Sequence, residues 1–470
     1  MRNRDPSVGE IAAEPLDAVE WAFLRRIEKL ALALLSARFT SAQDLWQFQM
    51  NLLHLQRDIQ ASIKNYKSRA KHDKEVIEIL TGLRICRWHS RRLGDAFAWV
   101  VTGGDKKILE PLSRNDHAAV THDGHGSRGM LLAARYLAEQ GWGFPLIHDI
   151  TDCLRIGDIT FVSVSEHSQR NYETVEIKTR AELKKRLEAE NLAEYEYRIR
   201  VLSAESFDDP QIDVVTVVDT GLEHVASRPV GRRTGRQAKR MRTALLHQTA
   251  ELNALLKEEG EVPALWTDVR APVTTHWKTL QKVVRRARRS GYGSECVDGA
   301  FLYVAAYDAN GLSAKLTADH RSRLQEDLSN PGPLAKASAN VLSVSIIPPF
   351  ESTGAHLFRP FYLYPIPRTS IIDLLYGRMI ILVCFNEGRF VESLEEAGFD
   401  VDFKFKTKTR AMTVTRSMTA GGGSEYGVQF ADLRYYFDEI IYEFRGLDAV
   451  VYAANSMTDA AVSAAPGLGS

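Results

Sequence analysis

Two carboxylates and an ammonium group stand at spacings that let them meet. Asp158 lies in Ile156-Gly157-Asp158-Ile159-Thr160-Phe161-Val162, and Glu176 and Lys178 lie in Tyr172-Glu173-Thr174-Val175-Glu176-Ile177-Lys178-Thr179, with 17 residues between Asp158 and Glu176. Both stretches read as strands. Side chains alternate faces along a strand, so Glu176 and Lys178 share one face while Val175 and Ile177 point into the core. An Asp at the mouth of one strand and a Glu-x-Lys on the next can therefore converge at one sheet edge. Hard oxygen donors of this kind suit Mg²⁺ or Mn²⁺; Mg²⁺ takes one or two carboxylates and leaves its other positions to water and a substrate phosphate. A phosphodiester is the natural substrate for such a set.

The elements that must position these residues follow in order. A helical stretch runs from Ser127 to Gln140, Gly141-Trp142-Gly143 breaks it, and a first strand covers Phe144 to His148. The Asp158 and Glu176 strands come next, then a helix over residues 181 to 197 and a last strand over Val214 to Val218. In this order, and through Gly157-Asp158 and Glu176-Ile177-Lys178, the region from about 125 to 220 resembles the PD-(D/E)xK nuclease superfamily, the restriction-endonuclease-like fold.

The resemblance implies a mixed sheet flanked by helices and Mg²⁺-dependent hydrolysis of DNA, with RNA the less expected polymer. It also implies residue roles: Asp158, Glu176 and the carbonyl of Ile177 hold the metal, and Lys178 orients or activates the attacking water. Gly157 stands where the family's leading Pro would be. Many members carry a further Glu on the first helix, but here no acid follows Ser127 until Glu139, and Asp123 or Asp95 could substitute. His148, Asp149, Asp152 and Arg155, in the turn before Asp158, are candidates for the site rim. Residues 116 to 125 hold three histidines and two aspartates without a zinc-ligand spacing. They read either as a polar loop or as a cover over the carboxylate edge.

Nucleic acid is also suggested by charge. Arg228, Arg232, Arg233, Arg236, Lys239 and Arg240 belong to an acid-free block, and Lys282, Arg285 and Arg286 belong to a second on a helix whose other face holds Leu280, Val283 and Val284. Basic groups of this kind contact phosphates and release counterions; the plain alternative is a solvated helix face.

Upstream, residues 17 to 39 and 41 to 70 read as two helices. Ser41 and Asp44 mark the second start, and Leu45, Phe48, Leu52, Leu55, Ile59 and Tyr66 recur at helical spacing. The stripe needs a partner, which is either a homodimer or another protein on one reading, or the helices' own domain on the other.

The chain of 470 residues calls for several domains. The expected segments are a helical region to residue 85, the nuclease-like domain over 86 to 225, a basic helical segment and strand over 226 to 330, a C-terminal α/β region over 331 to 455, and a disordered tail over 456 to 470. Apolar content of 44% and equal numbers of basic and acidic residues, 60 each, describe a globular chain without a global basic coat. No apolar run is long enough to span a membrane. The N-terminus reads as no secretory signal, and a cytoplasmic protein is expected. Cys86, Cys153, Cys296 and Cys384 lack any Cys-x-x-Cys spacing and read as reduced and mostly buried. No P-loop is present. The lack of a motor and the multi-domain build resemble nucleases of bacterial restriction or antiphage defence; the alternative is a nucleic-acid-binding or sensor protein that keeps a nuclease-like fold without catalysis.

Overall fold

A computed structural model of the chain describes residues 18–36, 39, 41–69, 74–113, 124–164, 170–187, 192–203, 215–222, 274–310, 315–329, 334, 342–347, 358–403, 412–419, 425–431 and 440–464. The chain forms two compact units, Asp17–Pro263 and a second made of Met1–Leu16 with Ala264–Ser470. The class is mixed α/β.

The first unit begins with α1 (Ala18–Leu35), α2 (Ala42–Arg69), α3 (Lys74–Thr102), α4 (Lys106–Ser113) and α5 (His125–Glu139). Ser41 and Asp44 start α2 reciprocally: the Ser41 amide donates to Asp44 Oδ2 at 3.0 Å and the Asp44 amide donates to Ser41 Oγ at 3.2 Å. The apolar stripe of α2 is satisfied inside this unit. Phe48 stacks on Phe97 of α3 with ring centroids 4.9 Å apart, and Leu52, Leu55 and Ile59 are buried. The helical region and the sheet therefore share one unit.

Five strands follow: β1 (Phe144–Ile147), β2 (Ile159–Val164), β3 (Arg170–Leu187), β4 (Leu192–Ser203) and β5 (Val215–Leu222). They lie in the order β1-β2-β3-β4-β5, and every pairing is antiparallel. This corrects two expectations. The sheet is an antiparallel meander rather than a mixed sheet, and residues 181–187 and 192–197 are paired strands rather than a helix, with Ala181 opposite Tyr197 and Leu183 opposite Tyr195.

The physical reason lies in the alternation Tyr195, Tyr197, Ile199, Val201. A period of two suits a strand, and it buries Ile199 and Val201 in the core. That core joins Ile147, Ile159, Phe161, Val175 and Ile177 to Met130, Ala133, Ala134 and Leu137 of α5. Gly129 makes the contact close: a Cβ there would lie 2.2 Å from the Thr179 side chain.

In the second unit, α6 (Trp277–Ser290) packs Leu280, Val283, Val284 and Ala287 against a sheet. That sheet comprises β6 (Tyr292–Val297), β7 (Phe301–Tyr307), β8 (Leu342–Ile347) and β9 (Met379–Asn386) in the order β6-β7-β9-β8, all antiparallel. The central β9 is buried throughout, as its apolar run leads one to expect, whereas β8 forms an edge with Leu342 and Val344 exposed. Leu324 and Leu328 of α7 (Ala318–Ser329) cover one sheet face. Then come α8 (Arg368–Leu375), α9 (Glu387–Glu396), a three-stranded antiparallel sheet of β10 (Asp400–Phe403), β11 (Met412–Thr419) and β12 (Glu425–Ala431), and α10 (Leu447–Ala464).

The last helix takes in residues 456–464 of the tail expected to be disordered, and the remainder, 465–470, lies outside the described residues. Ala is the best helix former, and Thr458 is buried with its hydroxyl donating to the Ala454 carbonyl at 2.8 Å. Among the described residues no helix is long and apolar enough to cross a membrane. All four cysteines are free; Cys86, Cys153 and Cys384 are buried and Cys296 is partly so.

Candidate active site

Asp158 sits one residue before β2 and Glu176 lies in the middle of β3. Ile159 pairs with Val175, so Asp158 and Glu176 are the next position along each strand. Two backbone bonds and one side-chain bond fix Asp158. The Asp158 amide donates to the Val175 carbonyl at 2.9 Å, its carbonyl accepts the His148 amide at 3.0 Å, and its Oδ2 accepts the Ile177 amide at 2.6 Å. Glu176 is only 4% exposed. Val175 and Ile177 enter the core as alternation requires, and Glu176 takes the opposite face. Lys178 follows two positions on, at the register position opposite Arg200.

Gly157 has φ 80°, which a Pro with its fixed φ near −65° cannot adopt. The loop into Asp158 thus takes a path closed to the residue the resemblance would put there.

The same sheet face is lined by hydroxyls and one imidazole. His148 Nε2 and Thr160 Oγ1 are 2.7 Å apart, and Thr160 Oγ1 and Thr174 Oγ1 are 2.8 Å apart. Burial pushes the His148 pKa down to about 4, so the ring is neutral at pH 7.

A buried ion cluster anchors the loop that leads to Asp158. Arg91 Nε lies 3.1 Å from Asp152 Oδ1, Arg92 Nη2 lies 3.5 Å from Asp152 Oδ2, and Arg155 Nη2 lies 3.8 Å from Asp152 Oδ1. Burial works to raise the Asp152 pKa, but these three guanidinium groups outweigh it and hold the carboxyl well below the usual carboxylate range. Arg91 also donates to the carbonyls of Asp149 and Thr151. Gly94 allows this approach, since a Cβ there would lie 1.8 Å from the Ile150 carbonyl oxygen.

Asp95 belongs to the same cluster. Its Oδ1 accepts the amides of Asp152 and Cys153 at 2.6 and 2.8 Å, and its Oδ2 lies 3.0 Å from Arg92. Glu139 pairs on the surface with Arg135 at 3.2 Å. Asp123 lies outside the described residues, as does most of the histidine loop. Among the described residues no group of three or more His, Cys, Asp or Glu side chains is gathered as a metal cluster. The register therefore sets Asp158 across from Glu176 on the neighbouring strand, while Asp95 and Glu139 are engaged with other partners.

Of the basic candidates, Arg228, Arg232, Arg233, Arg236, Lys239 and Arg240 lie outside the described residues. Lys282, Arg285 and Arg286 are exposed on α6. Lys282 and Arg286 lie 3.7 and 3.9 Å from the Glu295 carboxylate.

Sequence reasoning missed the amides that hold the sheet edge. Gln49 of α2 donates to the Pro145 carbonyl and accepts the Ile147 amide, each at 2.9 Å, closing the outer edge of β1. Gln56 donates to the carbonyls of Ser90 and Ile150 at 3.0 and 2.9 Å. Both are buried, and both fall on the same helical stripe as Leu52 and Ile59. A primary amide at an apolar position of a helix was the available signal, because a buried amide must find partners.

No family model, no curated protein and no solved structure matches the chain.

Proposed function

We propose that the Asp17–Pro263 unit carries a divalent-metal-dependent phosphodiesterase site acting on nucleic acid, with DNA as the substrate and the PD-(D/E)xK nucleases as its relatives in chemistry. One observation carries the reading: Asp158, one residue before β2, stands across from Glu176 of β3, with the Asp158 carboxylate tied to the backbone of the Glu-x-Lys segment by a 2.6 Å bond from Ile177.

Two neighbouring carboxylates are a donor set that Mg²⁺ accepts, since the ion keeps several waters and needs no protein cage. Asp158 and Glu176 would hold it, with the Ile177 carbonyl as a third donor. A bound ion supplies a nucleophilic water at neutral pH and offsets charge on the phosphate. Lys178 would orient that water. The Ile177 amide restrains the Asp158 carboxylate so that its direction is set before a ligand arrives, and the Arg91–Asp152 cluster restrains the loop behind it.

A second reading is a nucleic-acid-binding or sensor protein without catalysis. It is favoured by the two-carboxylate set, which lacks a third acid among the described residues, and by the β3–β4 hairpin standing where the resemblance calls for a helix.

Incubation of supercoiled plasmid and of a labelled RNA with the full chain separates these readings, in Mg²⁺ and in chelator. Cleavage of DNA in Mg²⁺ only, lost in Lys178→Ala, is expected. Binding without cleavage, unchanged in Lys178→Ala, favours the second reading; cleavage of RNA alone would change the substrate.

A further inference from the structure

Helix α6 separates its charges into two sets. Its 14 residues, Trp-Lys-Thr-Leu-Gln-Lys-Val-Val-Arg-Arg-Ala-Arg-Arg-Ser, contain six basic residues and no acid. Three of the six are engaged from their flanks. Lys282 and Arg286 face Glu295, and Arg288 lies 3.1 Å from the buried carboxylate of Asp373 and over the Tyr307 ring. The other three, Lys278, Arg285 and Arg289, are exposed, and among the described residues none has an acidic partner.

Their spacing places them on one side. Positions 278, 285 and 289, with 282 between, follow the four-three-four rhythm of a single helix face, opposite the buried Leu280, Val283, Val284 and Ala287. At 1.5 Å per residue the row is about 16 Å long.

Among the described residues nothing calls for such a row. Like charges at three- and four-residue spacing repel, and Lys278 stands in the first turn, where the helix dipole disfavours a cation. The whole chain has no net charge, so the excess is local. We propose that the Lys278–Arg285–Arg289 face of α6 is a docking surface for the phosphodiester backbone of nucleic acid. A linear row of separated cations matches a linear row of separated phosphates, and guanidinium groups bind phosphate oxygens in pairs. A membrane surface is the poorer match because the apolar face of α6 is spent in its own core, leaving no side chains to insert. Of the basic block expected on this helix, the proposal selects Lys278, Arg285 and Arg289. It reads Arg286 and Lys282 as charges partly neutralised by Glu295.

The polymer is that of the proposed nuclease, so the test is made without metal, where binding and cleavage separate. Anisotropy of a labelled duplex is recorded with the full chain in chelator over a salt series. The triple variant Lys278→Gln, Arg285→Gln, Arg289→Gln is expected to bind at least about tenfold more weakly at low salt, with a log–log salt slope shallower by about 2 to 3. Arg286→Gln is expected to stay within about twofold of wild type because its charge already faces Glu295. Circular dichroism checks that both variants are folded. An unchanged affinity and slope in the triple variant overturns the proposal, as does equal weakening by Arg286→Gln. Binding of anionic vesicles or polyglutamate that duplex DNA cannot displace also overturns it. Cleavage lost in Lys178→Ala and metal-free binding lost in the triple variant are therefore separate failures.

Discussion

The Asp158 carboxylate accepts the backbone amide of Ile177 at 2.6 Å, which joins the residue before β2 to the residue between Glu176 and Lys178. A charge-assisted bond of this kind is roughly twice as strong as a neutral one. It sets the direction of one candidate ligand by the backbone of the strand that carries the other. Three tests follow from the surroundings of this pair, and a fourth from the pair itself.

The ion cluster behind the loop is a stability element. Asp95→Ala removes the acceptor for the Asp152 and Cys153 amides and the partner of Arg92. Breaking a buried pair from one side costs about 3–5 kcal/mol. Urea unfolding is expected to show a loss of that size, and a loss under about 1 kcal/mol would mean the loop has other anchors.

Close packing of α3 on the same loop depends on Gly94. Gly94→Ala would set a methyl group 1.8 Å from the Ile150 carbonyl, a backbone atom without rotamers to escape by. Overpacking of this kind costs about 1–3 kcal/mol. The variant is expected to melt lower and, on the proposed function, to cleave more slowly because the loop carrying Asp158 shifts. An unchanged melting temperature would contradict the packing described.

The neutral His148 imposes a pH dependence. Its folded pKa of about 4 lies below the unfolded value of 6.5, so the unfolded chain binds the extra proton between them. Stability from this residue is present above pH 6.5 and falls as pH drops towards 4, by up to about 3 kcal/mol. His148→Gln is expected to flatten the fall in unfolding free energy over that window by close to one proton. Asp152 acts lower, its stabilising charge being lost only below the ordinary carboxylate range. Equal slopes in wild type and His148→Gln between pH 4 and 6.5 would place the titration elsewhere.

Much of this was legible in residue patterns. Helix α2 is written in its Ser41–Asp44 start and its apolar stripe. The opposite facing of Glu176 and Ile177 follows from strand alternation, and the buried side of α6 from Leu280, Val283 and Val284. What failed did so for identifiable reasons. Residues 181 to 190 are rich in Ala, Leu, Glu, Lys and Arg, good helix formers in isolation, yet Ile199 and Val201 reward pairing across the hairpin with burial that local propensity does not register. The small residues of the tail suggest disorder, yet over residues 456–464 Ala favours a helix where Thr458 is buried. The use of Asp95 as a loop anchor could not be read from spacing, because its partners lie 57 and 58 positions away.

The most direct test of the central claim is Mn²⁺ binding followed by paramagnetic resonance, with wild type, Asp158→Asn and Glu176→Gln compared at matched thermal stability. The account gives one saturable site in the wild-type chain, with affinity at least about tenfold lower in each variant, in line with charged ligands setting affinity for hard cations. Equal Mn²⁺ binding by all three folded proteins, or none by the wild type, would contradict it.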